Sequence, residues 1–139
     1  GWCKKYTLEV NGKRIKATTE KGYAVLQRSW KSGDAVTLNM EMPVEMVSAD
    51  PRVKQDVGKR AVRRGPLVYC MEETDNKSDF DKLMLSKKTT FKTIFDASLL
   101  DGVEKVQAVN GNETINLIPY YAWDNREAGK MKVWVDYVQ

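Results

Sequence analysis

The sequence of 139 residues predicts an all-β fold, an antiparallel β-sandwich of jelly-roll type with about ten short strands. Three observations lead to this class. Apolar and polar residues alternate with a period of two in several segments, turn-forming residues recur about every 8 to 12 positions, and no window keeps a helical spacing. The length and the hydrophobic share of 42% suit one domain over residues 1–139.

The first elements are a hairpin and two further strands. Apolar residues lie on both sides of Asn11-Gly12, a dipeptide favoured in two-residue hairpin turns, so we expect a hairpin near residues 5–19. A further strand is expected at residues 23–30. Residues 36–42 alternate without a break, which predicts a half-buried strand with one apolar row in a core.

The middle of the chain carries the predicted centre of the core. Pro43 interrupts the strand pattern before a short strand at residues 44–47. The continuous apolar run at residues 67–71 predicts a strand covered on both faces, whereas the acidic residues 72–82 predict a solvated loop. Later strands are expected at residues 83–85, 91–95, 103–109, 114–118 and 130–137.

The residue counts exclude much catalytic chemistry. The chain has no histidine, so it lacks the usual general base near neutral pH and the commonest zinc ligand. Its two cysteines, Cys3 and Cys70, form no metal-binding or redox motif and allow at most one disulfide. Cys70 lies inside an apolar run and predicts a buried, inert thiol. We therefore expect no cofactor in this chain.

Several further functions are also disfavoured. No apolar run reaches the roughly 18 residues that a membrane-spanning helix needs. Arg60, Arg63 and Arg64 lack an interleaved row of aromatic residues, so nucleic-acid binding is not expected. Asp79 and Asp81 are the best pair of carboxylates for glycoside hydrolysis, but they lie in a charged segment with no apolar wall to raise a pKa. Solvated side chains are the expected outcome there.

Four tryptophans and six tyrosines raise the alternative of a carbohydrate-binding surface, because sugar rings stack on exposed aromatic rings. Trp123, Trp134 and Tyr121 are the candidate contacts for a glycan. The competing interpretation is that aromatic residues of so small a domain lie in its core or at an interface.

Six motifs follow one another along nearly the whole chain, and their order is more specific than any one of them: Gly22–Val25, Trp30–Asp34, Met42–Val44, Gly58–Cys70, Ile118–Arg126 and Met131–Trp134. This series resembles the C-terminal region of glycoside hydrolase family 127. The start of the chain, Gly1–Lys4, resembles a family strand entered halfway, so the resemblance identifies the chain as a fragment.

The resemblance implies a bacterial enzyme similar to β-L-arabinofuranosidases, which trim plant glycans. It places catalysis in an upstream (α/α) barrel with a cysteine nucleophile, a glutamate and a cysteine-bound zinc. Neither Cys3 nor Cys70 matches the barrel motif, so no catalytic residue and no metal ligand carries over. The compartment stays undetermined.

For this chain the resemblance implies the role of an accessory β-sandwich that packs on the barrel and aids dimerisation. Tyr120 and Trp123 are the candidate contacts between domains or subunits. Gly65-Pro66 is expected to be a bend that redirects the chain into the central strand. The alternative function is an autonomous carbohydrate-binding module.

Overall fold

The computed structural model describes residues 2–76 and 79–139, and its regular elements are strands and single 3₁₀ turns, which confirms the all-β prediction. There are more strands than the ten expected: β1 (Tyr6–Val10), β2 (Lys13–Arg14), β3 (Thr18–Glu20), β4 (Tyr23–Val25), β5 (Val36–Met40), β6 (Val44–Val47), β7 (Lys59–Arg64), β8 (Leu67–Glu72), β9 (Met84–Ser86), β10 (Thr90–Asp96), β11 (Val103–Asn110), β12 (Glu113–Pro119), β13 (Met131–Lys132) and β14 (Val135–Val138). The 3₁₀ turns are Lys54–Asp56, Glu73–Asp75, Phe80–Lys82 and Tyr120–Ala122.

The chain divides into two compact units, Gly1–Met42 and Pro43–Gln139, where the sequence led us to expect one domain over residues 1–139. Each unit builds its sheets from its own strands. The boundary coincides with Pro43, which has no N–H group for a strand ladder and therefore ends the pattern of β5. Unit 1 and unit 2 below denote these two parts.

Unit 1 contains a three-stranded antiparallel sheet in the order β2-β1-β5 and the separate hairpin β3-β4. The predicted turn joins β1 to β2, with positive φ at both Asn11 (51°) and Gly12 (73°). The Asn11 side chain donates to Asp34 at 2.8 Å and accepts the Ala35 N–H at 2.9 Å. This side chain therefore fixes the loop from which β5 begins.

Two expectations for unit 1 were wrong in detail. The strand expected at residues 23–30 ends at Val25, and it pairs with β3 through a tight turn at Lys21 and Gly22, which both have positive φ. The alternation in β5 is real, but the strand is not half-buried, since all five of its residues are exposed.

Unit 2 is built on one curled sheet in the order β10-β11-β12-β8-β7-β14-β9, to which β6 and β13 are attached through β7 and β8. All its pairs are antiparallel except β14 with β9. The last strand of this order, β9, returns to β11 near the first, because Ser86 of β9 donates to the Asn110 side chain of β11 at 2.8 Å. The sheet thereby folds over on itself and encloses a core, as expected for a sandwich-like packing.

The central strand β8 is covered on both faces, as the apolar run predicted. Tyr69 and Met71 point into the main core, and the Tyr69 hydroxyl donates to the Glu104 carbonyl at 2.8 Å. Cys70 points to the opposite side, where a second cluster contains Val103 and Ile118.

The structure differs from the sequence prediction at two further places. Gly65-Pro66 is the two-residue connection of the β7–β8 hairpin, with Gly65 at a φ of 56°, so it does more than redirect one strand. The alternating segment 130–137 is broken into β13 and β14, which pair with different strands, so Val133 and Trp134 form a bend.

The segment at residues 72–82 was expected to be a solvated loop, but several of its described residues are buried. Glu72, Asn76 and Phe80 are among them. Asn76 donates to the carbonyls of Glu72 and Asn116 at 2.8 and 2.9 Å and accepts the Asn116 N–H at 2.8 Å. This one side chain therefore joins the end of β8 to β12.

No helical segment within residues 2–76 and 79–139 is long and apolar enough to cross a membrane.

We expect Asn76→Ala to lower the free energy of unfolding by about 3 kcal/mol, because three backbone groups lose their hydrogen-bond partner in a buried place. Urea unfolding followed by tryptophan fluorescence measures this difference. Asn112→Ala, at an exposed asparagine, is the matched control and should leave the midpoint unchanged. Equal midpoints for both variants would contradict the structural role of Asn76.

Candidate functional site

The candidate site is an open groove on unit 2 with a volume of about 530 Å³. We call it the aromatic groove, and its lining consists of Val68, Tyr120, Met131, Val133 and Trp134. All five side chains are uncharged and apolar or aromatic. Apolar surface of this kind is typical of contacts with other protein surfaces.

Strand alternation explains the position of the groove. In β8 the residues Val68, Cys70 and Glu72 share the face opposite to the main core. Cys70 is packed inward against the second cluster, whereas Val68 remains exposed and forms part of the groove. Met131 and Val133 pack against the same cluster, so the groove has a firm apolar floor.

The aromatic wall comes from the 3₁₀ turn that follows β12. Pro119 ends that strand, and the turn is closed by the Trp123 N–H, which donates to the Tyr120 carbonyl at 3.2 Å. The rings of Tyr120 and Trp123 stack with their centroids 6.1 Å apart and an angle of 25° between the planes. Their exposures are 47% and 37%, so both rings present area to a partner.

A buried carboxylate holds this turn in place. Glu72, the last residue of β8, accepts the Asp124 N–H at 3.0 Å and pairs with the guanidinium of Arg126. Asp124 has a φ of 61°, and the Asn125 side chain donates to the Trp123 carbonyl at 2.9 Å. The backbone after Trp123 is therefore attached to the central strand.

The Arg126 guanidinium also binds Asp75 through two hydrogen bonds of 2.8 and 2.6 Å. Lys105 lies 3.8 Å from Asp75 and 3.5 Å from Asp96, which extends the charge network across β11 and β10. Burial alone would raise the pKa of Asp75, but the hydrogen bonds from Arg126 and the charge of Lys105 hold that pKa below its ordinary value. The pKa of Arg126 is raised mainly by its bonds to Asp75. Both groups stay charged near neutral pH.

The structure brings together some of the aromatic residues named from the sequence and separates one. Tyr120 and Trp134 line the groove, and Trp123 extends it through its stack on Tyr120. Tyr121 is exposed but is not among the residues that line the groove. Of the three candidate glycan contacts, Trp123 and Trp134 therefore lie at the groove and Tyr121 does not.

Sequence reasoning missed Glu72 and Arg126 as residues of the site. Glu72 was assigned to a solvated segment, although it directly follows the apolar run and has the same parity as Cys70. The spacing of two residues from Cys70 could have indicated this, because it places the Glu72 side chain on the face of β8 that contacts the second cluster. Nothing in the local sequence indicates that Arg126, which lies 54 positions further along the chain, pairs with Glu72.

The alternative catalytic groups lack the environment that catalysis needs. Lys130 and Lys132 surround Asp81, and the hydrogen bond from Lys130 keeps the pKa of this carboxyl below its ordinary value. Asp79 is exposed and pairs with Lys82 at 3.1 Å. The shift at Asp81 is opposite to the raised pKa that a general acid needs.

The two cysteines are both free thiols. Burial raises the pKa of Cys70 to about 12, and the charge of Glu72 adds to this effect. The thiol is therefore protonated near neutral pH and has little nucleophilic character.

Within residues 2–76 and 79–139, no three His, Cys, Asp or Glu side chains are arranged to hold a metal ion.

Comparison with known proteins relates this chain to the class of glycoside hydrolases. Residues 44–136 match the C-terminal domain of glycoside hydrolase family 127, and residues 1–42 match the family's middle domain, described as that of a β-L-arabinofuranosidase. The chain belongs to glycoside hydrolase family 127. The family boundary coincides with the boundary between unit 1 and unit 2.

The similar proteins are bacterial and much longer than this chain. A non-reducing end β-L-arabinofuranosidase of Bifidobacterium longum subsp. longum is 36% identical over 96% of the chain, which corresponds to 24% of that protein. The crystal structure of a family 127 β-L-arabinofuranosidase from Geobacillus stearothermophilus T6 is 35% identical, with a TM-score of 0.87 over 99% of the chain and 25% of that structure. The chain thus spans about a quarter of the length of these relatives.

We expect Arg126→Met to lower the free energy of unfolding by about 3 kcal/mol, because the buried Glu72 would lose the cation that balances its charge. Urea denaturation measures the change. The control is Arg52→Met, which removes an exposed ion pair with Asp50 and should cause no measurable shift. A shift of equal size in both variants would show that Arg126 has no special role.

Proposed function

We propose that this chain is a non-catalytic accessory region of a bacterial glycoside hydrolase that resembles β-L-arabinofuranosidases. In this role it packs against an (α/α) catalytic barrel of the same polypeptide. The relatives are about four times as long as the chain, and this difference in length supports the proposal. The catalytic groups and the zinc would belong to the barrel.

The single observation that carries the proposal is the aromatic groove. It leaves Tyr120 and Trp123 exposed, although Glu72 and Arg126 hold their turn rigidly. A preorganised aromatic wall lowers the entropy that is lost when a partner surface binds.

The chemistry of the lining favours a protein partner over a sugar. Glycan sites combine an aromatic platform with polar groups that bind hydroxyls, whereas the five lining residues offer few such groups. The same groove would serve a second copy of the enzyme in a dimer. We assign the barrel as its partner, and dimerisation remains the alternative use of this surface.

We expect Trp123→Ala to destabilise the full-length enzyme by roughly 2 kcal/mol, because a large aromatic side chain is lost from the centre of the interface. The isolated chain of 139 residues should lose clearly less stability than the enzyme, since Trp123 is already partly exposed there. Thermal unfolding of both proteins measures the difference, and kcat per folded molecule should not change. Tyr120→Ala should behave in the same way.

The control for this experiment is Tyr23→Ala, which removes an exposed aromatic side chain from unit 1. An equal effect of Trp123→Ala on the isolated chain and on the full-length enzyme would contradict docking. A shift of the enzyme from dimer to monomer in sedimentation, with the contact between domains intact, would assign the groove to dimerisation.

The second candidate function is an autonomous carbohydrate-binding module, and the exposed stack of Tyr120 on Trp123 favours it. Titration of the isolated chain with arabinose-containing oligosaccharides tests it through tryptophan fluorescence. If docking is the function, no saturable quenching should occur at concentrations up to about 1 mM, where weak sugar sites bind. Saturable quenching that is lost in Trp123→Ala and Trp134→Ala would instead assign the groove to a glycan.

A further inference from the structure

The β1–β5 ladder of unit 1 has one apolar face. The register pairs Leu8 with Leu38, Val10 with Val36 and Tyr6 with Met40, so all six side chains share one face. The opposite face is polar, since Thr7 pairs with Asn39 and Glu9 with Thr37.

This apolar face is covered on one strand and bare on the other. Leu8 and Val10 of β1 are buried and only Tyr6, at the start of that strand, is exposed at 43%. All three β5 residues are exposed, namely Val36 at 51%, Leu38 at 52% and Met40 at 42%. The uncovered apolar area is therefore concentrated along the β5 edge. An alternating strand normally buries such a row.

The backbone of β5 also lacks a partner on its outer side among the described residues, because β5 ends the order β2-β1-β5. The Ala35 carbonyl accepts the Asn11 N–H, and the Glu41 N–H donates to Lys5, so the odd-numbered residues face β1. Backbone groups alternate along an antiparallel strand. The N–H and C=O groups of Val36, Leu38 and Met40 consequently point to the outer edge.

The two edges of this sheet differ in the features that prevent or permit pairing. The β2 edge has two residues, Lys13 and Arg14, and lysine at an edge discourages the addition of a strand. The β5 edge has five residues without a charge, a proline or a break in its ladder with β1. Only the β5 edge is thus suited to continue the sheet.

We propose that β5 pairs with a further β-strand from the rest of the same polypeptide, one that alternates apolar and polar residues and extends both the sheet and its apolar face. This inference rests on the part of the proposed function that makes the chain a portion of a longer hydrolase. It does not depend on the aromatic groove.

Two observations select this occupant over a second copy of the chain. Unit 1 matches a middle domain of the family, and the relatives contain about three quarters of their length outside the matched region. A unit of about 40 residues buries too little apolar surface to be stable without further cover. A strand of the same polypeptide is present at a high effective concentration and pairs without the cost of association.

Hydrogen exchange at individual amides tests the proposal on the full-length enzyme and on the chain of 139 residues. In the enzyme, the amides of Val36, Leu38 and Met40 should exchange on the order of 100-fold more slowly than in the isolated chain. The amides of Thr37 and Asn39, which face β1, serve as the internal reference for the stability of the ladder. The amide of Arg14 lies on the β2 edge and should exchange rapidly in both proteins.

Equal exchange of the three outer amides in both proteins would overturn the proposal. So would slow exchange in the isolated chain that disappears on dilution, because a second copy would then occupy the edge. A gene that encodes no residues beyond these 139 would also refute it. Because the exchange pattern does not involve Tyr120 or Trp123, its failure is distinguishable from a failure of docking at the aromatic groove.

A variant gives an independent measurement. Leu38→Lys places a charge on the apolar face, so it should lower the melting temperature of the full-length enzyme and leave that of the isolated chain nearly unchanged. Thr37→Lys, one residue away on the polar face, is the matched control and should have little effect in either protein. Equal melting temperatures of the Leu38→Lys enzyme and the unmodified enzyme would contradict the proposed strand.

Discussion

Unit 2 depends on the burial of β8 on both of its faces. Tyr69 and Met71 fill the main core, while Cys70 closes the second cluster on the other side. Because successive side chains of a strand point in opposite directions, one segment supports two apolar layers at once. The neighbouring strands, the curl of the sheet and the floor of the aromatic groove all follow from this position.

The same alternation explains why a carboxylate, that of Glu72, is buried beneath the candidate site. Glu72 continues β8 by one residue on the Cys70 face, and there it would be costly to bury without partners. Arg126 and the Asp124 N–H supply those partners, and in doing so they attach the aromatic turn to the buried central strand. The stability of the core and the orientation of Tyr120 and Trp123 are thus linked.

The two units show surfaces of different kinds. In unit 2 the aromatic groove is lined by apolar and aromatic side chains, so this surface suits contact between side chains. In unit 1 three exposed apolar residues follow one strand, β5, whose outer backbone groups also face outward, so this surface suits pairing of strands. The first kind tolerates partners of varied shape, whereas the second requires another strand in register.

The sequence alone determined the all-β class and the Asn11-Gly12 hairpin, because period-two alternation and turn residues are local properties. It also determined that β8 is buried and that Cys70 is inert, because a continuous apolar run surrounds this thiol and the chain has no histidine. The motif order also determined the family, which the comparisons confirm. Tertiary structure alone decided that residues 130–137 break into two strands, that β5 lies bare and that Arg126 reaches Glu72. These features depend on which distant strand pairs with which, and a local pattern of side chains carries no information about that choice.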